Sequence, residues 1–207
     1  STAGSTVRGA FEDLNAISDI AERTGIWHHV DAAWGGSVLF SDKHRSMLNG
    51  IERADSVTYD VHKMLGASMV CSMFLLRNGQ ILEEAMAHTK KGDYLFDDPV
   101  SSQSLGRISP QCGRRADALK LWLTWLDIGS KGFGQRVDYC MEIADHMAKL
   151  VQKTREVELI SHRFTNVCIR FTPNENETPE EGDERVRKAR NRLEEEGRAM
   201  VIDSQLD

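Results

Sequence analysis

The sequence predicts an α/β chain in which part of a parallel-rich sheet domain is followed by a small α+β domain. Three observations lead there. Strand, helix and strand signals follow one another over the first thirty residues, the order of a parallel βαβ unit. From Arg114 onward the apolar residues fall at helical spacing instead. A strand, an acidic loop and a further helix then occupy the stretch from Asn166 to about Gly197. The expected organisation is a sheet domain over residues 1–112, connecting helices over 113–155 and a small α+β domain over 156–207.

Taken in order, Ser1–Val7 reads as the end of a strand running into a turn. Asp13 to Thr24 reads as a helix with Leu14, Ile17, Ile20 and Ala21 on one face and Gly25 as its C-terminal cap. Ile26–Val30 is the next predicted strand, ending at Asp31. A short helical stretch near His44–Asn49 precedes a strand at Ser56–Tyr59, which ends at Asp60-Val-His-Lys63. Met69–Leu76 reads as the buried neighbour of that strand, with Asn78-Gly79 as a turn. Asp97–Pro110 is polar and serine-rich, the composition of a mobile surface loop. Leu119, Trp122, Leu123 and Leu126 form a stripe, with Leu121 and Trp125 beside it, and predict a deeply buried helix whose two tryptophans are core. Gly129 and Gly132 are expected to break it. A long amphipathic helix from Val137 to Val151 follows, then the strand Asn166–Phe171, the loop Asn174–Gly182 and a last helix. Val201 and Ile202 start another element, so both ends read as cut through structure.

The chain is 40% hydrophobic and 28% charged with a net charge of −6. That composition suits a folded chain with a sizeable core and argues against wholesale disorder. The acidic balance argues against nucleic acid as a partner, since the basic residues from Arg185 to Arg192 are flanked by Asp183 and Glu184 on one side and Glu194 to Glu196 on the other, as on a solvated helix. No run approaches the ~20 apolar residues that cross a bilayer, so no membrane association is expected. The first residues lack a basic region followed by an apolar stretch, and the expected compartment is the cytoplasm. Cys71, Cys112, Cys140 and Cys168 are widely spaced and lack metal-ligand patterning. They are expected to be reduced and mostly buried.

An Asp or Lys at a strand end is, taken singly, most simply a surface charge. Here the context is richer. His29-Val-Asp-Ala-Ala-Trp-Gly-Gly36 places Asp31 on a loop of small residues where a planar ligand can lie flat. The next strand end offers the amine of Lys63. A lysine removed from water loses its proton readily and can form a Schiff base. An aspartate facing the ring nitrogen of pyridoxal phosphate would keep that nitrogen protonated and sustain an electron sink. His62 read alone is a hydrogen-bonded core histidine. Trp34 serves either packing or a ligand, and Arg114 and Arg115 serve helix docking, a dimer contact or a ligand.

Several segments carry a family resemblance in order along nearly the whole chain. They are Thr2-Ala-Gly-Ser-Thr-Val-Arg-Gly-Ala-Phe11, His29 to Gly36, Lys43 to Thr58, and Asp60-Val-His-Lys-Met64. Tyr94-Leu-Phe96, Gln111-Cys-Gly-Arg-Arg115, Leu119-Lys-Leu-Trp122 and Asn166-Val-Cys168 follow. Together they resemble the group II pyridoxal-phosphate decarboxylases, most closely the glutamate and cysteine sulfinate decarboxylase branch. The resemblance implies a fold-type I pyridoxal-phosphate enzyme, represented here by the second half of its large domain and most of its small domain. It implies pyridoxal 5'-phosphate as cofactor, a small acidic L-amino acid as substrate, decarboxylation as the reaction, and a homodimer or higher self-association. By the same resemblance Lys63 is the Schiff-base lysine and Asp31 pairs with the pyridinium nitrogen. Ala33 packs on one ring face, His62 sits near the cofactor phosphate, and Thr2 lies near the ring and the substrate carboxylate.

The resemblance also implies parts that this sequence does not hold. A histidine stacking on the other ring face, most phosphate-binding groups and a carboxylate-binding arginine belong to segments outside it. Family members carry a proton-donating tyrosine on the mobile loop, whereas residues 97–110 contain none. Asp60 stands where many members have asparagine. Two other readings follow: a catalytically incompetent remnant that folds and self-associates, or a pyridoxal-phosphate aminotransferase or lyase on the same fold.

Overall fold

The computed structural model describes residues 1–86, 108–109, 111 and 113–204. The Tyr94-Leu-Phe96 segment, Cys112 and all of the expected 97–110 loop except Ile108 and Ser109 lie outside the described residues. Two compact units are present: Ser1–Ala3 with Phe11–Val137, and Gly4–Ala10 with Asp138–Asp207.

The first unit is built on a small mixed sheet. Helix α1 (Leu14–Thr24) begins where Asp13 accepts the Ala16 N–H, and it stops at Gly25, whose φ of 69° is the left-handed cap geometry that glycine adopts without strain. Leu14, Ser18 and Ala21 are its buried face. Strand β1 (His29–Asp31) pairs in parallel with β2 (Ser56–Tyr59), placing His29 opposite Ser56 and Asp31 opposite Thr58. Strand β3 (Met73–Leu76) pairs with the other side of β2, antiparallel, and leads into the short α2 (Gln80–Met86). Thr2 adds a parallel bridge to Asp31, and Ala3 bridges to Phe11. Val30, Ala32, Val38, Leu48, Val61 and Leu65 form a core from which water is essentially excluded.

Three sequence expectations change in this unit. The strand predicted at Ile26–Val30 is displaced, because pairing begins only at His29. Ile26 and Trp27 are half exposed, the Trp27 indole N–H donating to Ser56 Oγ at 2.8 Å. The predicted helical turn near His44 is 3-10 in character, over Arg45–Leu48. Strand β3 neighbours β2 as expected but is not buried, since it is an edge strand among the described residues and Phe74 is 52% exposed.

Helix α3 (Asp117–Val151) passes from the first unit into the second and is interrupted at Gly129 (φ 65°, ψ 177°). Gly132, by contrast, lies inside the helical run. The segment before Gly129 corrects the expectation of a deeply buried helix: Leu119, Trp122, Leu123 and Leu126 are each about half exposed. Trp125 keeps part of the predicted core role, its ring lying edge-on to Phe40 and Phe133 at 5.3 and 5.5 Å. Periodicity identifies an apolar face, and nothing among the described residues covers most of this one. No described helix is long and apolar enough to cross a membrane.

In the second unit, Ala144, Ala148 and Val151 of α3 are buried. Strands β4 (Val157–Arg163) and β5 (Asn166–Phe171) form an antiparallel hairpin with an irregularity between Leu159 and Ser161. Asn166 Nδ2 donates to the carbonyls of Thr6 and Val7, tying the 4–10 loop to β5. Helix α4 (Pro179–Glu195) starts with a reciprocal cap between Thr178 and Glu181 and has no buried residue, the solvated surface its dense charge predicts. Residues 201–202 are exposed and form no helix or strand. Of the described cysteines, Cys71 is buried, Cys140 and Cys168 are partly so, and all three are free thiols.

Candidate functional site

The parallel pairing of β1 with β2 brings two strand ends to one sheet edge, the place where open α/β sheets collect their functional groups. Asp31 closes β1. Its backbone is fixed on both sides, the N–H donating to Ser1 O and the carbonyl accepting from Ala3 N–H, each at 2.8 Å. One carboxylate oxygen accepts the Ala33 N–H at 3.0 Å, and the side chain stays exposed. Thr2 is held beside it by the strand bridge and by Glu12, whose carboxylate accepts the Thr2 N–H. Thr2, Asp31 and Ala33 are therefore neighbours.

The small residues after Asp31 divide into two kinds. Ala32, Gly35 and Gly36 are buried, while Ala33 and Trp34 are partly accessible. A Cβ at Gly36 would lie 2.6 Å from the Tyr59 ring, and one at Gly35 would collide with the Ala3 carbonyl. The two glycines thus let the loop pass between Ala3 and Tyr59, which leaves Ala33 as the candidate ligand face. Burial pushes the Tyr59 phenol up to about 12, so it stays protonated against Ser37 Oγ.

The second strand end is a tight turn. Asp60 N–H donates to Ala33 O at 3.3 Å, joining this turn to the Asp31 loop, and Lys63 N–H donates to Asp60 O at 3.0 Å. The Lys63 ammonium forms an ion pair with Asp60 Oδ2 at 3.0 Å, with the lysine side chain 39% exposed and the aspartate 15%. Burial alone would raise the Asp60 carboxyl. Hydrogen bonds from Ser72 and Lys63 and the charges of Lys63 and His62 outweigh it, holding the carboxyl below its ordinary range. His62 is fixed by the same neighbouring segment: its backbone N–H and its Nδ1 both approach the Cys71 carbonyl, the latter at 2.8 Å. The Cys71 N–H also reaches Nδ1, at 3.3 Å, so the Cys71 backbone engages Nδ1 rather than Nε2. Cys71 is itself buried, and its thiol, raised by that burial, donates to Asp117 O.

The structure thus gathers Thr2, Asp31 and Ala33 on one loop cluster and His62 and Lys63 on the adjoining turn. Sequence reasoning passes over three residues here: Asp60 as the partner of Lys63, Ser72 as a second donor to Asp60, and Glu12 as the anchor of Thr2. The Asp60-Val-His-Lys63 spacing carries the signal for the first, because residues three apart meet across a tight turn.

As chemistry, the set fits pyridoxal phosphate. It provides a partly exposed amine for a carbonyl and a carboxylate able to pair with a protonated ring nitrogen. It also provides a small side chain for a ring face and an imidazole with one nitrogen uncommitted. The amine, the carboxylate and the small residue lie on the two loops joined by the Asp60–Ala33 hydrogen bond.

Comparison with known proteins points the same way. The family described as the pyridoxal-dependent decarboxylase conserved domain matches residues 1–172. Cysteine sulfinic acid decarboxylase of Mus musculus is 44% identical over 176 residues, covering 83% of this chain and 36% of that protein. L-aspartate decarboxylase dtxS4 of Metarhizium robertsii is 42% identical over 177 residues, covering 83% and 35%. Among solved structures, Oryza sativa TDC with PLP and tryptamine aligns with a TM-score of 0.87 and 28% identity, over all of this chain and 43% of that one. The chain spans about a third of the length of the curated relatives it matches.

Proposed function

The chain belongs to the pyridoxal-dependent decarboxylase family, and from that premise we propose that it is the lysine-bearing part of an enzyme that releases carbon dioxide from an acidic L-amino acid. Its fold is the fold-type I α/β arrangement of these decarboxylases. The observation that carries the reading is the meeting of Asp31 and the Lys63 turn at the ends of two adjacent parallel strands. The acidic substrate class is supported by two relatives whose names specify cysteine sulfinic acid and L-aspartate.

In this reading the Lys63 amine is the covalent attachment point for the cofactor carbonyl. When bound, pyridoxal phosphate supplies the electron sink into which the electron pair of the breaking carbon–carboxylate bond moves. Asp31 would pair with the protonated ring nitrogen, and its fixed backbone would spare it reorganisation. Ala33 offers a ring face without steric bulk. His62, anchored through Nδ1, has Nε2 available to the phosphate. Thr2 lies beside Asp31, where it can orient the ring and the substrate carboxylate.

The test is a visible absorption spectrum of the purified chain mixed with pyridoxal phosphate, wild type beside Lys63→Ala. A Schiff-base band present in the wild type and lost in the variant is the expected result. Equal spectra from the two proteins would remove Lys63 from its role and the reading with it.

A further inference from the structure

Asp60 has no part in the roles above, yet among the described residues it is the charged partner of the Lys63 amine, at 3.0 Å. We propose that Asp60 is a positioning residue that holds the Lys63 ammonium at the end of β2, so that the amine meets a carbonyl ligand only by giving up this ion pair. The inference rests on the reading of Lys63 given above and adds a control on that same amine.

Three observations support it. The geometry is closed: the same two residues are joined twice, by the Lys63 N–H on Asp60 O and by Nζ on Oδ2, each at 3.0 Å. The carboxylate is held independently of the lysine, with its backbone N–H on Ala33 O and Ser72 donating to its side chain. Its surroundings also favour the charged form, because Lys63 and His62 are the charged or titratable groups that face it and Ser72 is a neutral donor. A fixed anion beside a movable ammonium makes the lysine the partner that moves. Attack on a carbonyl requires a free nitrogen lone pair, which Nζ does not offer while it is held on Asp60 Oδ2. Asp60 therefore aims the amine and also restrains it.

The experiment measures reactivity in the full chain with no pyridoxal phosphate present. Wild type, Asp60→Asn and Asp60→Glu are reductively methylated with formaldehyde and cyanoborohydride, and Lys63 and Lys120 are quantified by peptide mass spectrometry. Lys120 serves as the internal reference, since it has its own partner in Asp117 at 2.7 Å and in the carbonyls of Met69 and Val70. Asp60→Asn, nearly identical in shape, is expected to raise the Lys63-to-Lys120 labelling ratio by about two- to fivefold, the range open to a partly exposed ion pair. Asp60→Glu, which restores a carboxylate, is expected to bring the ratio back toward wild type. An unchanged or lowered ratio in Asp60→Asn overturns the proposal, and a general loosening of the fold gives that same unchanged ratio. Because no cofactor is present, this outcome is separate from the absorption test of Lys63 itself.

Discussion

The edge where β1 and β2 end and the surface of α4 are both charged, but the charges are held in opposite ways. On α4, Arg187 reaches Glu184 with both side chains about half exposed, and Lys188 shares the same glutamate. Among the described residues, only contacts within the helix itself hold these side chains. At the strand edge there are fewer charges, and each one sits on backbone tied from several directions. Asp31 is gripped by Ser1 and Ala3, and Asp60 by Ala33 and Ser72. The difference teaches that the density of ionisable residues marks solubility, while the restraint placed on each marks a site. A catalytic group must be in place before charge develops, and that restraint is built into the fold.

The sharpest way to break this comparison is Asp31→Asn in an enzyme containing the chain. The substitution keeps Oδ1, and so keeps the acceptor for the Ala33 N–H. The fold around residues 31–33 should survive, with a melting temperature close to wild type. Removing the negative charge opposite the ring nitrogen is expected to cost on the order of a hundredfold or more in kcat/KM, the scale for losing one preorganised electrostatic group. Full activity in this variant would show that restraint at the edge serves folding alone.

A smaller effect tests the opposite region at a well-anchored point. Glu177, just before α4, receives Arg185 at 2.8 Å and the Asn174 N–H at 2.9 Å, and these bonds draw its carboxyl down to about 2. A carboxyl lowered on folding adds stability that is complete above its ordinary value near 4.5. That stability is lost as the pH falls from there toward 2. Thermal unfolding of wild type and Glu177→Gln across this range should show the wild type ahead above pH 5 and the gap closing as the solution is acidified. A gap independent of pH would mean that the Arg185 contact contributes through packing, including its position 5.7 Å from the Phe171 ring centre, and not through charge.

Much of this was legible in the residues, and the illegible part has physical causes. Asp13 and Gly25 bracket α1 because capping chemistry is local, and β2 and β5 match their predicted ranges because β-rich runs ended at clear turns. Strand β4 is absent from the sequence reading. Its alternation of Val157 and Leu159 is disturbed by the irregularity before Ser161, which breaks the period-two signal. The stripe on α3 shows an apolar face but not its cover, so Trp122 reads as core and is 56% exposed. At the site, Asp31 and Lys63 stand out because strand ends are predictable. The Asp60 contact does not stand out, because its three-residue spacing becomes a signal only once a tight turn is placed directly after β2.

The smallest expected effect completes the contrast. In α4, Arg187→Ala removes an ion pair at 2.5 Å, shorter than the Lys63–Asp60 contact. If distance alone set the strength of an ion pair, this would be the more costly substitution of the two. Both side chains are about half in water, however, and Glu184 retains Lys188 as a second partner. Alanine is also the better helix former, which offsets some of the loss. The expected change in unfolding free energy is about 0.5 kcal/mol or less in either direction, measured by chemical denaturation. A loss well above about 1 kcal/mol would place α4 among the restrained parts of the molecule, and exposure would then no longer separate solubilising charges from working ones.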